Sequence, residues 1–440
     1  MNVPPLRSLA AAALAFCLLA LFGPTAALAQ IENAKPPQPR PAIRPREIPR
    51  PLTTLDRVDV PALWFGVDDS GRLKFRTAPK ERPAGDETPS PSPESAPIEL
   101  AVTPADLVAW GSPPEPTPGV NIILVDGSIL TAASVTTDSE NLHAKLFGLE
   151  RIIPLTQVRG VVFRTIGTRS RRDRVFDTVD ATRTGDRDRL VLLSGDETTG
   201  TVKSIDYQTV TIETTLGLAV VSIDKLSYLI FNPALASAAP TDKPRMLVGL
   251  RSGTTVVSEP LRAAAAGRVV LQPTALVPDS PWEVPTTDIT YLQTLGGKSI
   301  ALSSLEPTGY RHIPYLERTW PYRADRSVSG AGLRGGGRRY RTGVGMHSTS
   351  RITYALDGTA SKFAATLAID DETDGRGSVT FRVFVDNEEK YRSEIVRGGD
   401  RPTPIEVPLA GGKQLSLVVD FADFADEQDH ADWLEARLLP

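Results

Sequence analysis

The 440-residue chain carries 49 Lys and Arg against 53 Asp and Glu, a formal charge of −4. That balance excludes a dedicated nucleic-acid binder, which would show a strongly basic domain. The length calls for two to four domains with cores of their own.

The first 29 residues read as a secretory signal peptide: Arg7, then the apolar run "LAAAALAFCLLALFG", then Ala27-Leu28-Ala29 before Gln30. The mature chain would begin near Gln30 in a secreted, periplasmic or envelope location; a retained N-terminal anchor is the alternative. Cys17, the single cysteine, lies inside the apolar run and would leave with it. No later apolar stretch reaches the roughly 18 residues needed to span a bilayer, so no transmembrane segment is expected after signal removal. An exported chain without disulfides must rest on core size or bound ions.

Half of the chain's 38 prolines fall between Pro36 and Pro118, so residues 30–118 read as an extended, polyproline-like linker. One island, "ALWFGVDDSGRLKFR" at 62–76, alternates around Asp69-Ser70-Gly71 as a single hairpin. A repeat follows. Residues 119–168 and 188–235 stay in register at an offset of 68, Gly127 matching Gly195 and Phe163 matching Phe231, and a looser copy spans 245–295. Each copy shows short alternating runs, five in the second, which predicts two or three small SH3-like or Sm-like barrels strung as separate beads. The Arg-rich link 169–187 has no steady period and reads as a solvated loop open to a polyanionic partner.

From about Gly296 to Pro440 longer alternating strands joined by polar turns predict a two-sheet β-sandwich of jelly-roll type, making the chain all-β. Five blocks follow in order here: "LSSLEP" at 302–307, "DRSVSGAGLRGGGRRYRTGVGMHSTSRITYAL" at 325–356, "IDDETDGRGSVTFRVFVD" at 369–386, "GGDRPTPIEVPLAGGKQLSLVVD" at 398–420 and "DHADWLEARL" at 429–438. Together residues 296–440 resemble the NPCBM/NEW2 family, the carbohydrate-binding modules attached to glycoside hydrolases of the family 98 kind. The resemblance implies a galactose-binding-like sandwich that attaches to sugars, with a structural calcium in related modules. It says nothing about the barrels or the linker.

Candidate ligand contacts lie in these blocks. His347 and His430 fall at strand ends, where a neutral imidazole can donate to and accept from sugar hydroxyls; a sheet-end hydrogen bond is the alternative for each. Trp433 offers a flat apolar face to a pyranose, although Trp in a terminal strand is usually core, and Trp320 has the same two readings. In "IDDETD", an extended backbone would put Asp370 and Glu372 on one face roughly 6.6 Å apart, a glycosidase-like separation, but neighbours on one strand cannot oppose each other across a bond. Calcium held by oxygen ligands from Asp371, Glu372 or Asp374 with loop carbonyls, or from Asp429 and Asp432, is weighed against a solvated acidic turn. "GAGLRG" at 330–335 matches a dinucleotide pattern without the strand and helix it requires, and Arg334, Arg338, Arg339 and Arg341 read as a loop that could meet an acidic saccharide. The reading is a secreted, non-catalytic protein that binds galactose-type sugars or a cell-wall polysaccharide. The alternatives are a glycoside hydrolase component and an envelope scaffold for protein partners.

Overall fold

Local alternation dictates the first architectural unit. In a computed structural model describing residues 48–77, 97–165, 167–238, 243–265, 267–276, 281–423 and 425–440, the strands Arg50–Thr54, Val60–Val67, Leu73–Thr77, Glu99–Val102 and Leu107–Gly111 form one five-stranded unit. The fifth strand pairs the first, and the second, third and fourth follow, the order of an SH3-like or Sm-like barrel. The expected hairpin at 62–76 is therefore the middle of a barrel, and 97–118 is ordered structure rather than linker. The prolines are compatible with pairing here: Pro51 and Pro61 stand opposite each other, so the two missing N–H donors fall at one position of the ladder. Trp64, Phe75 and Trp110 fill the interior, with Trp110 Nε1 donating to Ala62 O at 2.9 Å. The leader and residues 30–47 lie outside the described residues.

In each of the three repeats the last strand pairs the first and the first pairs the next, with a 3-10 turn before the last strand: Leu155–Gln157, Ile223–Lys225 and Thr286–Asp288; in the first and third repeats the middle strands form a separate three-stranded sheet. Four barrels are thus present, and they are not separate beads. The last strands of the second and third barrels, Val158–Val162 and Leu226–Ile230, pair antiparallel, as do those of the first and fourth, Leu107–Gly111 and Ile289–Leu295. Ile129↔Thr255 links the two pairs, making a single 16-stranded sheet. Glycine allows these seams. A Cβ on Gly160 would lie 2.2 Å from Leu229 O, and one on Gly111 2.1 Å from Thr290 O.

The expected solvated loop at 169–187 contains the helix Arg169–Ala181, capped by Thr168, whose side chain accepts from Arg171 N. Its buried stripe is Asp173, Phe176 and Val179. Phe176 and Val179 pack against Ile123, Val162 and Ile230 of the second and third barrels. Two apolar residues and a buried carboxylate make no readable amphipathic period; the surface they pack against selects the helix.

The C-terminal third is a sandwich of two antiparallel sheets. One orders Arg323–Ala324, Gly343–His347, His430–Leu439, Lys362–Ile369 and Thr403–Pro408; the other orders Gly309–His312, Ser350–Ala355, Gln414–Phe421, Ser378–Val385 and Glu388–Arg392. Alternate residues such as Val379, Phe381, Val383 and Val385 face the shared core. The sandwich docks on the barrels: Ala364 and Leu439 pack with Val108, Leu55 and Val58. The arginine-rich loop supplies the polar part. Arg334 contacts Glu115 at 2.5 Å and Asp173 at 3.4 Å, Arg338 lies 3.6 Å from Asp59, and Arg339 donates to Pro114 O. These three arginines join modules, so neither a free loop nor a saccharide contact describes them. Among the described residues no helix is long and apolar enough to cross a membrane.

Candidate functional site

At one end of the sandwich, strand Gly309–His312 runs into the loop 313–322, and the strands Gly343–His347 and His430–Leu439 present paired ends, His347 opposite His430. The loop brings Trp320 down onto this edge. Its indole stacks on His347 with centroids 4.9 Å apart and planes 3° from parallel, while the Arg318 guanidinium covers the other face at 3.8 Å. His430 meets the indole edge at 5.5 Å, and His312 and His430 each lie 5.8 Å from His347. Tyr315 and Leu316 stand exposed on the same loop.

Hydrogen bonds fix which ring nitrogens remain free. Ser348 O accepts from both His347 Nδ1–H, at 2.7 Å, and His312 Nε2–H, at 3.1 Å, and His312 Nδ1 accepts from Trp320 N. His430 Nδ1 faces Glu372 Oε1 at 2.9 Å, and the same carboxylate accepts from Ser327 and Ser329. Among the described residues, His347 Nε2, His430 Nε2 and Trp320 Nε1 have no hydrogen-bond partner. His430 Nε2, an acceptor, and Trp320 Nε1, a donor, are thus left open at this edge, while His347 is buried beneath the indole. Burial pushes His347 down to about 4, so the stacked ring is neutral at ordinary pH. Burial alone would raise Glu372, but hydrogen bonds from His430 and the two serines outweigh it and hold the carboxyl below its usual range.

The other candidates are placed differently. His347 is only 2% exposed, so it seats the indole rather than meeting solvent itself. Trp433 is fully buried, edge-on to Phe381 at 4.9 Å, and is core rather than a sugar platform: its position in the strand points it between the sheets. "IDDETD" is not extended. Asp370 caps the 3-10 turn Asp371–Thr373, accepting from Glu372 N with one oxygen and from Arg334 N with the other, so the 6.6 Å strand spacing does not arise. Asp370 also faces Asp432. Both are buried; desolvation raises Asp370 to about 6 and Asp432, which also feels the Asp370 charge, well above the carboxylate range, so the pair holds a proton where lone carboxyls would lose it.

The two alternative sets of expected calcium ligands, Asp371 with Asp374 and Asp429 with Asp432, have separate surroundings. Asp429 accepts from Ser348 Oγ and Ser378 N, Asp371 from Gly337 N, Asp374 is an exposed left-handed cap, and Asp432 turns to Asp370. Among the described residues no three His, Cys, Asp or Glu side chains gather as metal ligands. Trp320 and His312 carry more of the site than the sequence assigned them. The indole's suitability as a sugar platform was the signal for Trp320, and nothing pointed to His312.

Residues 298–439 match the model of the NPCBM/NEW2 domain. Over 123 residues the chain is 37% identical to alpha-1,3-galactosidase B of Akkermansia muciniphila, covering 27% of this chain and 15% of that protein. Over 110 residues it is 34% identical to a putative endo-alpha-N-acetylgalactosaminidase of Renibacterium salmoninarum, covering 25% and 7%. The similarity thus spans a small part of each relative. Among solved structures, the CBM51 module of a Clostridium perfringens GH95 protein in complex with methyl-galactose is 29% identical, covering 32% of this chain and 99% of that one with a TM-score of 0.29. A CBM51-2 and INT structure from Clostridium perfringens ZmpB in complex with GlcNAc is 22% identical, covering 50% and 43% with a TM-score of 0.29.

Proposed function

We propose that the sandwich binds a carbohydrate at the edge formed by Trp320, His430 and Glu372, without cleaving it, and that the four barrels hold this module in place on an exported protein. The observation that carries the reading is the clamped indole: Trp320 is stacked on His347 and covered by Arg318, with the His430 ring at its edge. Such a set suits vicinal hydroxyls, each a donor and an acceptor, beside an apolar C–H face. The NPCBM/NEW2 match over 298–439 supports the sugar class, and methyl-galactose in a similar module favours a galactose-type ligand. Binding rather than hydrolysis is supported by the carboxyls themselves. Asp370 and Asp432 are buried against each other and Glu372 is tied down by three donors, whereas hydrolysis needs two carboxyls opposed across a cleft. The leader-like first 29 residues support export.

Titration calorimetry of the full chain with methyl β-galactoside and with N-acetylglucosamine tests the reading. Wild type gives saturable heat with at least one sugar, and Trp320→Ala or Glu372→Gln weakens it by about tenfold or more, the scale of losing one or two desolvated hydrogen bonds. Failure of both sugars and of soluble galactan to bind would overturn it.

A further inference from the structure

The outer face of the second sheet carries a row of like charges. Arg311 stands directly opposite Arg351, Arg351 opposite Val418, and Val418 opposite Arg382, so three arginines occupy one line across four strands. Like charges opposite one another destabilise a sheet, and such a pair persists where something gains from it. Arg382 is neutralised by Glu389 and Asp420. Arg351 has only neutral partners, Asn387 Oδ1 at 3.1 Å and Ser416 Oγ at 3.0 Å. Arg311 has no hydrogen bond or ion pair among the described residues. Two uncompensated guanidinium groups therefore sit side by side.

They line a hollow of about 360 Å³ together with Ile313, Phe384 and Val418. Arg351 lies 5.6 Å and Arg382 4.8 Å from the Phe384 ring centroid. The hollow thus joins an aromatic ring, which suits a pyranose C–H face, to planar donors that suit a carboxylate or sulfate. It begins where the candidate sugar edge ends: Arg311 precedes His312 on one strand, and Ile313 opens the loop that carries Trp320.

We infer that this face is a second saccharide subsite, taking an anionic sugar unit, uronate or sulfate ester, of the glycan whose neutral unit is held at the Trp320 edge. The inference rests on the reading that the module binds glycans. Arg311 and Arg351 grip the anion, Phe384 supports the ring, and one glycan chain spans both subsites. Several weak contacts on one chain then add without any single tight site.

Polygalacturonate and its fully methyl-esterified form share a backbone and differ in charge, so the full-length protein is titrated with both, with methyl β-galactoside, and with polyphosphate as a non-saccharide polyanion. Wild type binds polygalacturonate at least tenfold more tightly than the ester, and the preference shrinks as salt is raised. In Arg311→Gln/Arg351→Gln the preference disappears while methyl β-galactoside binding is unchanged. Both side chains are exposed and mutually repulsive, so the variant's unfolding midpoint stays at or above wild type; Arg311→Gln alone is the second variant. Retention of the preference in both variants overturns the inference, as does polyphosphate binding as tightly as polygalacturonate. Loss of methyl β-galactoside binding in Trp320→Ala with the charge preference intact separates the two subsites. A wild type that ignores methyl β-galactoside yet keeps an arginine-dependent preference removes the first reading and leaves this one standing.

Discussion

Replacing Arg334 by Met is expected to loosen the junction between the sandwich and the barrels. Arg334 is buried and reaches Glu115 at 2.5 Å and Asp173 at 3.4 Å, while Asp173 is itself buried on the helix Arg169–Ala181. Removing one partner of a buried ion pair strands the other and costs about 3–5 kcal/mol. Two features reduce the loss here. Arg172 remains 2.9 Å from Asp173, and the Glu115 side chain is 45% exposed, so about 2–3 kcal/mol is expected, below that range. Urea unfolding followed by tryptophan fluorescence measures it, and combining the substitution with Asp173→Asn should return part of the loss, because the stranded charge is gone. Acid sensitivity should change with it. Burial would raise Glu115, but Arg334 and its neighbours outweigh that and hold the carboxyl at about 2, below its ordinary 4.5. That stability is present above pH 4.5 and fades as pH falls toward 2, so the Arg334→Met variant should lose less than wild type across this window. A loss under about 0.5 kcal/mol, or strictly additive single and double substitutions, would refute the assignment of this pair as the clasp.

Trp433→Ala should destabilise the sandwich by about 3–5 kcal/mol, because the fully buried indole fills the space beside Phe381 and Phe363; calorimetric scanning would show it. Asp432→Asn should flatten a pH trend of the opposite sign from that of Glu115. Desolvation raises Asp370 to about 6 and Asp432 further, so the protonated pair stabilises below pH 3.8, and the contribution declines as pH rises through about 6; midpoints of wild type minus variant between pH 4 and 7 report it. Gly111→Ala should break the seam between the first and fourth barrels. The new Cβ would meet Thr290 O at 2.1 Å with φ at +82°, and overpacking of this kind costs about 1–3 kcal/mol, seen as an earlier first transition in urea.

Strand alternation made the sandwich legible, because one face of each strand is buried along its whole length, as in Ser378–Val385. The 68-residue offset made the second and third barrels legible for the same reason, since equal cores demand equal spacing. The first barrel was hidden by composition. Its strands Arg50–Thr54 and Val60–Val67 carry prolines that are harmless only because Pro51 and Pro61 face each other, a fact of pairing and not of either strand alone. The helix Arg169–Ala181 was hidden because its buried stripe includes Asp173, which is acceptable only with Arg334 and Arg172 beside it.

Site residues divide in the same way. The sequence could mark His347 and His430 as side chains able to contact a hydroxyl, and Trp433 as sugar platform or core. It could not say that Trp433 points inward, that His347 lies beneath an indole 27 positions earlier, or that Arg334 serves a carboxylate 219 positions away. Periodicity is a property of the local backbone and survives in one dimension. Which charge meets which, and which ring covers which, is set by how separate elements pack, and this chain determined it only when the loop 313–322 and the arginine run at 334–339 found their partners in space.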